Sequence, residues 1–202
     1  MNPTGVWSAV ALGAFHGLNP AMGWLFAVAL GLQEHRRTAV LAAMVPIAAG
    51  HAASVGLVGL VLAGAGLAVP ARGLRLAVGG GLIAFGLFRL VRPYAHPRWV
   101  GMRVGFRDLV FWSFLMASAH GAGLMLAPVF LGLPGPAGQV HAASGLVILA
   151  AHTAAMFLVM GAVALSIYQT VGLALLRRAW VNLDLIWAAA LLAAGGVMFL
   201  AG

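Results

Sequence analysis

Six long apolar runs, separated by short polar segments, make up most of the sequence. They cover residues 5–33, 38–69, 73–91, 109–133, 142–172 and 182–202. A membrane-spanning α-helix needs about 20 mainly apolar residues, and each run is long enough to supply one. The pattern therefore predicts an all-α integral membrane protein with six transmembrane helices. The third run is the shortest, and Arg75 and Arg89 near its ends are expected to extend their charged heads to the two membrane interfaces.

The composition favours a lipid surrounding over an aqueous one. Hydrophobic residues make up 63% of the chain and charged residues 7%, whereas a soluble domain has roughly 25% charged residues. Cysteine is absent, which excludes disulfides and thiolate chemistry. The net charge of +8 lies between the apolar runs, so the lipid bilayer is the expected partner and nucleic acid is not. An enzyme is not expected, because no Ser-His-acid set, phosphate-binding glycine loop or carboxylate pair can be assembled.

The distribution of arginines predicts the orientation. Nine of the eleven arginines lie in the first, third and fifth loops, and Arg-rich loops face the cytoplasm. Both termini are therefore predicted to lie outside, in a bacterial-type inner membrane. The third loop, residues 89–108, is basic and is expected to contact anionic lipid. The predicted organisation is a first three-helix repeat (1–92), a basic cytoplasmic linker (93–108) and a second three-helix repeat (109–202).

Two pairs of similar segments indicate an internal repeat. The first run contains GAFHGLNPAMGW and the fourth ASAHGAGLMLAP, while the second contains AAGHAASVG and the fifth LAAHTAAMF. With three helices per half, the second half enters the membrane from the opposite side, as in transporters whose site lies at the interface of two inverted repeats. Pro20 lacks a backbone donor and disfavours helix at Asn19, so the first helix is predicted to break at Pro20.

Histidines inside the predicted spans are the candidate metal ligands. Ionisable groups at membrane depth usually face the bundle interior and mark functional sites. Imidazole binds Cu, Zn, Ni and Co, and thioether binds Cu(I). Four histidines occupy matching places in the two halves: His16, His51, His120 and His152.

Other residues near these histidines are candidates for the substrate pathway. They are Asn19, Pro20, Met22, Met116 and Met156. The amide of Asn19 and the carbonyls freed at Pro20 would supply polar contacts. Two of the methionines lie four residues from a histidine and share its helix face, although methionine is also a common gap-filling residue. All three acids lie at the ends of spans, which argues against carboxylate-based metal chemistry.

The segment HGLNPAM resembles a motif of the LysE-like exporter superfamily, which includes the NicO-type nickel and cobalt exporters. That motif is a His, three residues, a Pro, one residue and a second His. His16, Pro20 and Met22 occupy these places here, so a methionine replaces the second histidine. The resemblance implies six helices in two inverted repeats and efflux of a transition-metal cation, with a softer ion than nickel favoured by the methionine. Amino-acid exporters of the superfamily carry an Asn-Pro in the first helix, which Asn19-Pro20 also fits.

Several functions remain open from the sequence alone. The leading hypothesis is a transporter that exports a transition-metal cation (Cu, Zn, Ni or Co) by alternating access, with no other cofactor required. A second hypothesis is export of a small polar organic solute. A third is an accessory or electron-transfer subunit that holds haem or a fixed metal. A homo-oligomer, or a structural subunit of a larger membrane complex in which histidines join helices, is also compatible with the pattern.

Overall fold

The computed structural model describes residues 3–91, 105–132, 142–170 and 183–200, and all regular structure in these ranges is helical. The predicted all-α class is confirmed for this part of the chain. The α-helices are α1 (Pro3–Leu18), α2 (Trp24–Glu34), α3 (Arg37–Ala68), α4 (Ala71–Val91), α5 (Phe106–Ala119), α6 (Ala122–Leu131), α7 (Ala142–Thr170) and α8 (Leu183–Leu200).

Three of these helices are long and apolar enough to cross a membrane on their own. They are α3, α4 and the 28 residues Ala143–Thr170 of α7. The helices α5 and α6 qualify only together, as a fourth span bent by 65°. Helices of this length and hydropathy are compatible with a membrane protein.

The predicted break at Pro20 is present. The helix α1 ends at Leu18, Asn19 is extended, and residues Pro20–Met22 form one 3-10 turn before α2. The Asn19 side chain accepts a hydrogen bond from the Ala21 N–H at 2.9 Å, and the Trp24 indole N–H donates to the Leu18 carbonyl across the break at 3.1 Å. Gly23, at a φ of 119°, occupies the left-handed conformation that restarts the helix.

A second break divides the fourth apolar run into α5 and α6. It falls at His120-Gly121, where Gly121 has a φ of 69°. Pro128 lies inside α6, seven residues beyond Gly121, and is not the residue that interrupts the helix. A His-Gly dipeptide lies at or just before each break, at His16-Gly17 and at His120-Gly121.

The helices pack mainly as three pairs: α1 with α7, α3 with α5, and α4 with α8. Glycine permits backbone-to-backbone contact in the first two pairs. A Cβ on Gly13 of α1 would overlap the carbonyl of His152 in α7, and a Cβ on Gly50 of α3 would overlap the carbonyl of Val110 in α5. Each of these two pairs therefore joins one helix from residues 1–92 to one from residues 109–202.

The helix α5 begins inside the predicted linker 93–108, since residues 106–108 form its first turn, where Asp108 accepts a hydrogen bond from the Gly105 N–H. Arg89, which is expected from the sequence to extend outward, is only 2% exposed, in the last turn of α4, where a cation is favoured by the helix dipole. Residues 92–104, which include most of the predicted linker, and the fifth loop lie outside the described residues.

Candidate metal centre

Three of the four predicted histidines meet inside the helix bundle. His16, His51 and His152 each offer a ring nitrogen, and the three nitrogens lie within 4.8 Å of one another. The centroid of the His16 ring is 5.2 Å from that of His51 and 4.9 Å from that of His152, both at steep angles. All three side chains are fully buried. We call these residues the histidine triad.

Each member of the triad comes from a different helix. His16 lies in the last turn of α1, immediately before the break, while His51 and His152 lie within the long helices α3 and α7. The contact of Gly13 with the His152 carbonyl holds α1 against α7. Gly17 extends this contact one turn further, where an added Cβ would lie 2.6 Å from the Met156 carbonyl. The close approach of the two backbones brings His16 and His152 together.

Backbone carbonyls of α1 fix the tautomer of two triad members. The Nδ1 of His16 lies 2.6 Å from the Leu12 carbonyl, and the Nδ1 of His152 lies 3.2 Å from the Ala9 carbonyl. A carbonyl only accepts, so each Nδ1 carries the hydrogen and donates it. The lone pair is then on Nε2 in both rings, which is the arrangement that metal-binding histidines use.

His51 completes the triad through a contact with His152. The two rings are nearly parallel, at 14°, and their Nε2 atoms are 3.1 Å apart. Since the Nε2 of His152 carries a lone pair, the Nε2 of His51 is the donor of this hydrogen bond. The Nδ1 of His51 then carries a lone pair, and it is buried without a hydrogen-bond partner among the described residues.

The fourth predicted histidine lies outside the triad. His120 is buried, and its Nδ1 lies 2.8 Å from the Met116 carbonyl, four residues earlier. It is not part of the group of ring nitrogens within 4.8 Å, but it lies close to that group, because Ser118, two residues before it, hydrogen-bonds Ser54, three residues after His51. The structure therefore brings three of the four candidate ligands to one point and places the fourth nearby, at the second helix break.

The predicted pathway residues occupy different environments. Asn19 and Pro20 form the break beside His16, as described above. Met22 packs in a hydrophobic cluster with residues of α6, and Met156 packs in another with residues of α2 and α3. Met116 contacts His120 through its backbone carbonyl. The described contacts of these methionines are packing contacts or hydrogen bonds of the backbone, and ligation by their sulfur atoms stays a prediction.

Sequence reasoning missed the contribution of Ala9 and Leu12. Both act through main-chain carbonyls, so their side chains carry no signal of the role. Only the helical spacing could have indicated that these carbonyls lie near the histidines, because positions 9, 12 and 16 lie along one face of α1.

The chemistry of the triad is that of a nitrogen-donor site. Three imidazoles give a borderline-soft metal ion three ligands and leave a fourth position open for water or another ligand. Both carbonyl-bonded rings are pre-oriented, so little side-chain entropy would be lost on binding. No protein-family model, curated protein or solved structure matches the chain.

Proposed function

We propose that this protein is a membrane transporter that moves a transition-metal cation through the histidine triad by alternating access. The observation that carries the proposal is the convergence of His16, His51 and His152, which come from both halves of the chain, on one buried point. A site between two groups of helices is accessible from either side in turn when the groups move against each other. The outward direction is supported by the resemblance of HGLNPAM to the first helix of metal exporters.

The proposed architecture has six spans in two inverted repeats. In this arrangement α1 and α2 form one broken span, α5 and α6 form the matching one, and α3, α4, α7 and α8 are the other four. Helix packing supports it: exchange of the two halves turns the α1–α7 pair into the α5–α3 pair, and both pairs are present. The breaks after His16 and His120 also correspond.

A metal site accounts for the triad better than helix-to-helix hydrogen bonding alone. Buried polar groups that only join helices are normally satisfied at every donor and acceptor. The Nδ1 of His51 is buried without a hydrogen-bond partner among the described residues, and a lone pair in that state is costly. A cation bound by His51 would use such a lone pair.

The packing of the triad favours a single ion over haem. The three ring centroids are separated by 4.9 to 5.4 Å, and the rings touch one another directly. An ion fits among ligands at this spacing after small shifts, whereas a macrocycle needs a flat cavity between its axial ligands. The absence of a carboxylate from the triad favours Zn, Ni, Co or Cu over Mg or Ca.

A pocket at the predicted cytoplasmic side offers an access route. It has a volume of about 350 Å³ and is lined by residues of α2, α3 and α5, including Glu34, Arg36 and Pro46. His51 follows Pro46 by five residues, which is about 7.5 Å along the helix axis. The pocket therefore lies close to the level of the triad, and Glu34 at its mouth is paired with Arg36.

The experiment that tests the proposal measures metal content and transport together. The purified protein would be supplied with Zn²⁺, Ni²⁺, Co²⁺ or Cu⁺, washed, and analysed by mass spectrometry, and uptake would be followed in proteoliposomes that contain a metal-sensing dye. The test variant carries His16→Asn, His51→Gln and His152→Asn. Asparagine and glutamine keep hydrogen-bond donors near the original nitrogens, so the variant loses ligands with little loss of packing.

The expected result is about one ion per wild-type chain and metal uptake by the vesicles, both lost in the triple variant. The matched control is His35→Asn, because His35 is exposed and adopts a φ of 52° that asparagine tolerates. It should bind and transport like the wild type. A folded wild-type protein that binds none of the four metals would contradict the proposal.

A further inference from the structure

The two tight helix pairs divide the four membrane histidines into two sets. The α1–α7 pair carries His16 and His152, and the α3–α5 pair carries His51 and His120. His120 is the C-cap of α5. Within each pair the helices meet backbone to backbone, at Gly13 in the first and at Gly50 in the second. Because such contacts leave no space for one helix to shift against the other, each pair is expected to move as a unit.

Contact between the two pairs is made differently. Where α3 meets α7, Met44 reaches Gly161 with the end of its side chain, and Leu149 reaches Gly56 with a methyl group. Methionine is a flexible side chain that adapts to new surroundings. The interface between the pairs can therefore rearrange more easily than the interface within either one.

His120 is prepared for ligation in the same way as His16. Each ring places its Nδ1 against the carbonyl four residues earlier, at 2.6 Å for His16 and 2.8 Å for His120. Each therefore donates from Nδ1 and keeps the lone pair on Nε2. Both residues are buried at a helix break. They differ in position: His16 contacts the His51–His152 hydrogen-bonded pair, and His120 is not in the group of ring nitrogens within 4.8 Å.

We propose that the ion passes between two overlapping three-histidine sites, one formed by His16, His51 and His152 and the other by His120, His51 and His152. The inference rests on the proposed function. In the structure, the α1–α7 pair contributes two ligands and the α3–α5 pair one. When one pair moves against the other, the α1–α7 pair comes to contribute one ligand and the α3–α5 pair two. His120 joins the site as His16 leaves it. His51 and His152 hold the ion throughout, and the change of third ligand accompanies the change of side.

The test compares Co²⁺ binding with Co²⁺ transport in single and double variants of the full chain. The variants are His16→Asn, His120→Asn and the two combined. Asparagine keeps a donor for the Leu12 or Met116 carbonyl and removes the Nε2 ligand, which protects the fold. Binding is measured by competition with a chromophoric chelator, and transport by uptake into proteoliposomes. Thermal unfolding of each variant checks that it is folded.

We expect His120→Asn to bind Co²⁺ within about threefold of the wild-type affinity and to lose at least about tenfold in uptake rate. His16→Asn should also stop transport while it retains binding through the second site. The double variant should lose more than about tenfold in affinity, which neither single variant does. Binding without transport is a result that a purely structural role for His120 does not produce.

Two results would overturn the inference and leave the proposed function standing. Wild-type uptake by His120→Asn would show that His120 is not a ligand in any transport state. Loss of Co²⁺ binding in folded His120→Asn would indicate one site with four simultaneous ligands. A wild-type protein that binds no Co²⁺ and no other transition metal would instead reject the proposed function, and this inference with it.

Discussion

At the scale of single residues, the decisive group is the imidazole of His51. Its Nε2 donates to His152, and its Nδ1 is buried without a hydrogen-bond partner among the described residues. His16 and His152 have their orientation fixed by carbonyls of α1. The orientation of the His51 ring thus depends on another member of the triad, whereas the other two rings are oriented by α1.

The substitution His51→Gln separates packing from ligation. The glutamine amide can donate to the Nε2 of His152, so we expect the thermal stability without metal to change by less than about 1 kcal/mol. Metal at 100 times its dissociation constant should stabilise the wild type by about 2.7 kcal/mol and the variant much less. Thermal unfolding in detergent, with and without Zn²⁺, measures both effects.

The control for this comparison is His35→Asn, which Zn²⁺ should stabilise as much as it stabilises the wild type. An equal rise in unfolding temperature for the wild type and His51→Gln would show that the ion binds elsewhere.

At the scale of helices, backbone contact through glycine positions the triad. Gly13 allows α1 to reach α7, and Gly50 allows α3 to reach α5. Gly64 of α3 and Gly80 of α4 are also helical, but a Cβ at either would meet nothing within 4 Å. The same type of residue therefore has a packing role at two positions and none at the other two.

This difference predicts opposite effects of one type of substitution. Gly13→Ala and Gly50→Ala should each destabilise the protein by about 1 to 3 kcal/mol, because the new methyl group forces the helix backbones apart. Gly64→Ala and Gly80→Ala should be neutral or stabilising by up to about 1 kcal/mol, since alanine favours helix. Unfolding followed by tryptophan fluorescence tests all four, and destabilisation at Gly64 as large as at Gly13 would contradict the explanation.

The two helix breaks differ in how well the sequence predicts them. The first has Pro20, whose missing N–H and restricted neighbour make a break the expected outcome. The second has Gly121 at a positive φ and no proline at the break. Glycine permits that conformation without requiring it, so the bend of 65° depends on packing that one segment of sequence does not contain.

At the scale of the whole molecule, the two tight pairs join the two halves of the chain. Neither α1 nor α3 has its main helix partner within residues 1–92, since these partners are α7 and α5. The buried surfaces of the first half are therefore completed by the second half. A separate first half would leave the glycine faces of α1 and α3 without their partner helices.

The prediction is that the halves depend on each other. A chain divided between residues 92 and 105 should give two fragments that accumulate and bind metal when produced together, and that are degraded or aggregate when produced alone. Western blots of membranes and the metal content of the co-purified fragments provide the measurement. A first half that is stable and binds metal by itself would contradict the pairing of helices across the two halves.

The same packing explains why the sequence predicts the triad only in part. The sequence singles out four histidines, all of which are buried, and three of them lie together. Which three converge depends on helix tilt and rotation, and these are set by contacts such as that of Gly13 with His152, between positions more than a hundred residues apart. The fourth histidine, His120, is therefore indistinguishable from the others in sequence.

The use of the Ala9 and Leu12 carbonyls has a consequence for how this site evolves. Every amino acid has a main-chain oxygen, so no substitution at positions 9 or 12 removes the acceptor that orients a ring. Ala9 needs only to remain small, because it is completely buried. Selection that preserves the site therefore acts on the histidines and on the rotation of α1. Relatives that orient their histidines through the same carbonyls can differ at position 12 and can carry another small residue at position 9. They are recognised by the spacing between that small residue and the histidine of α1.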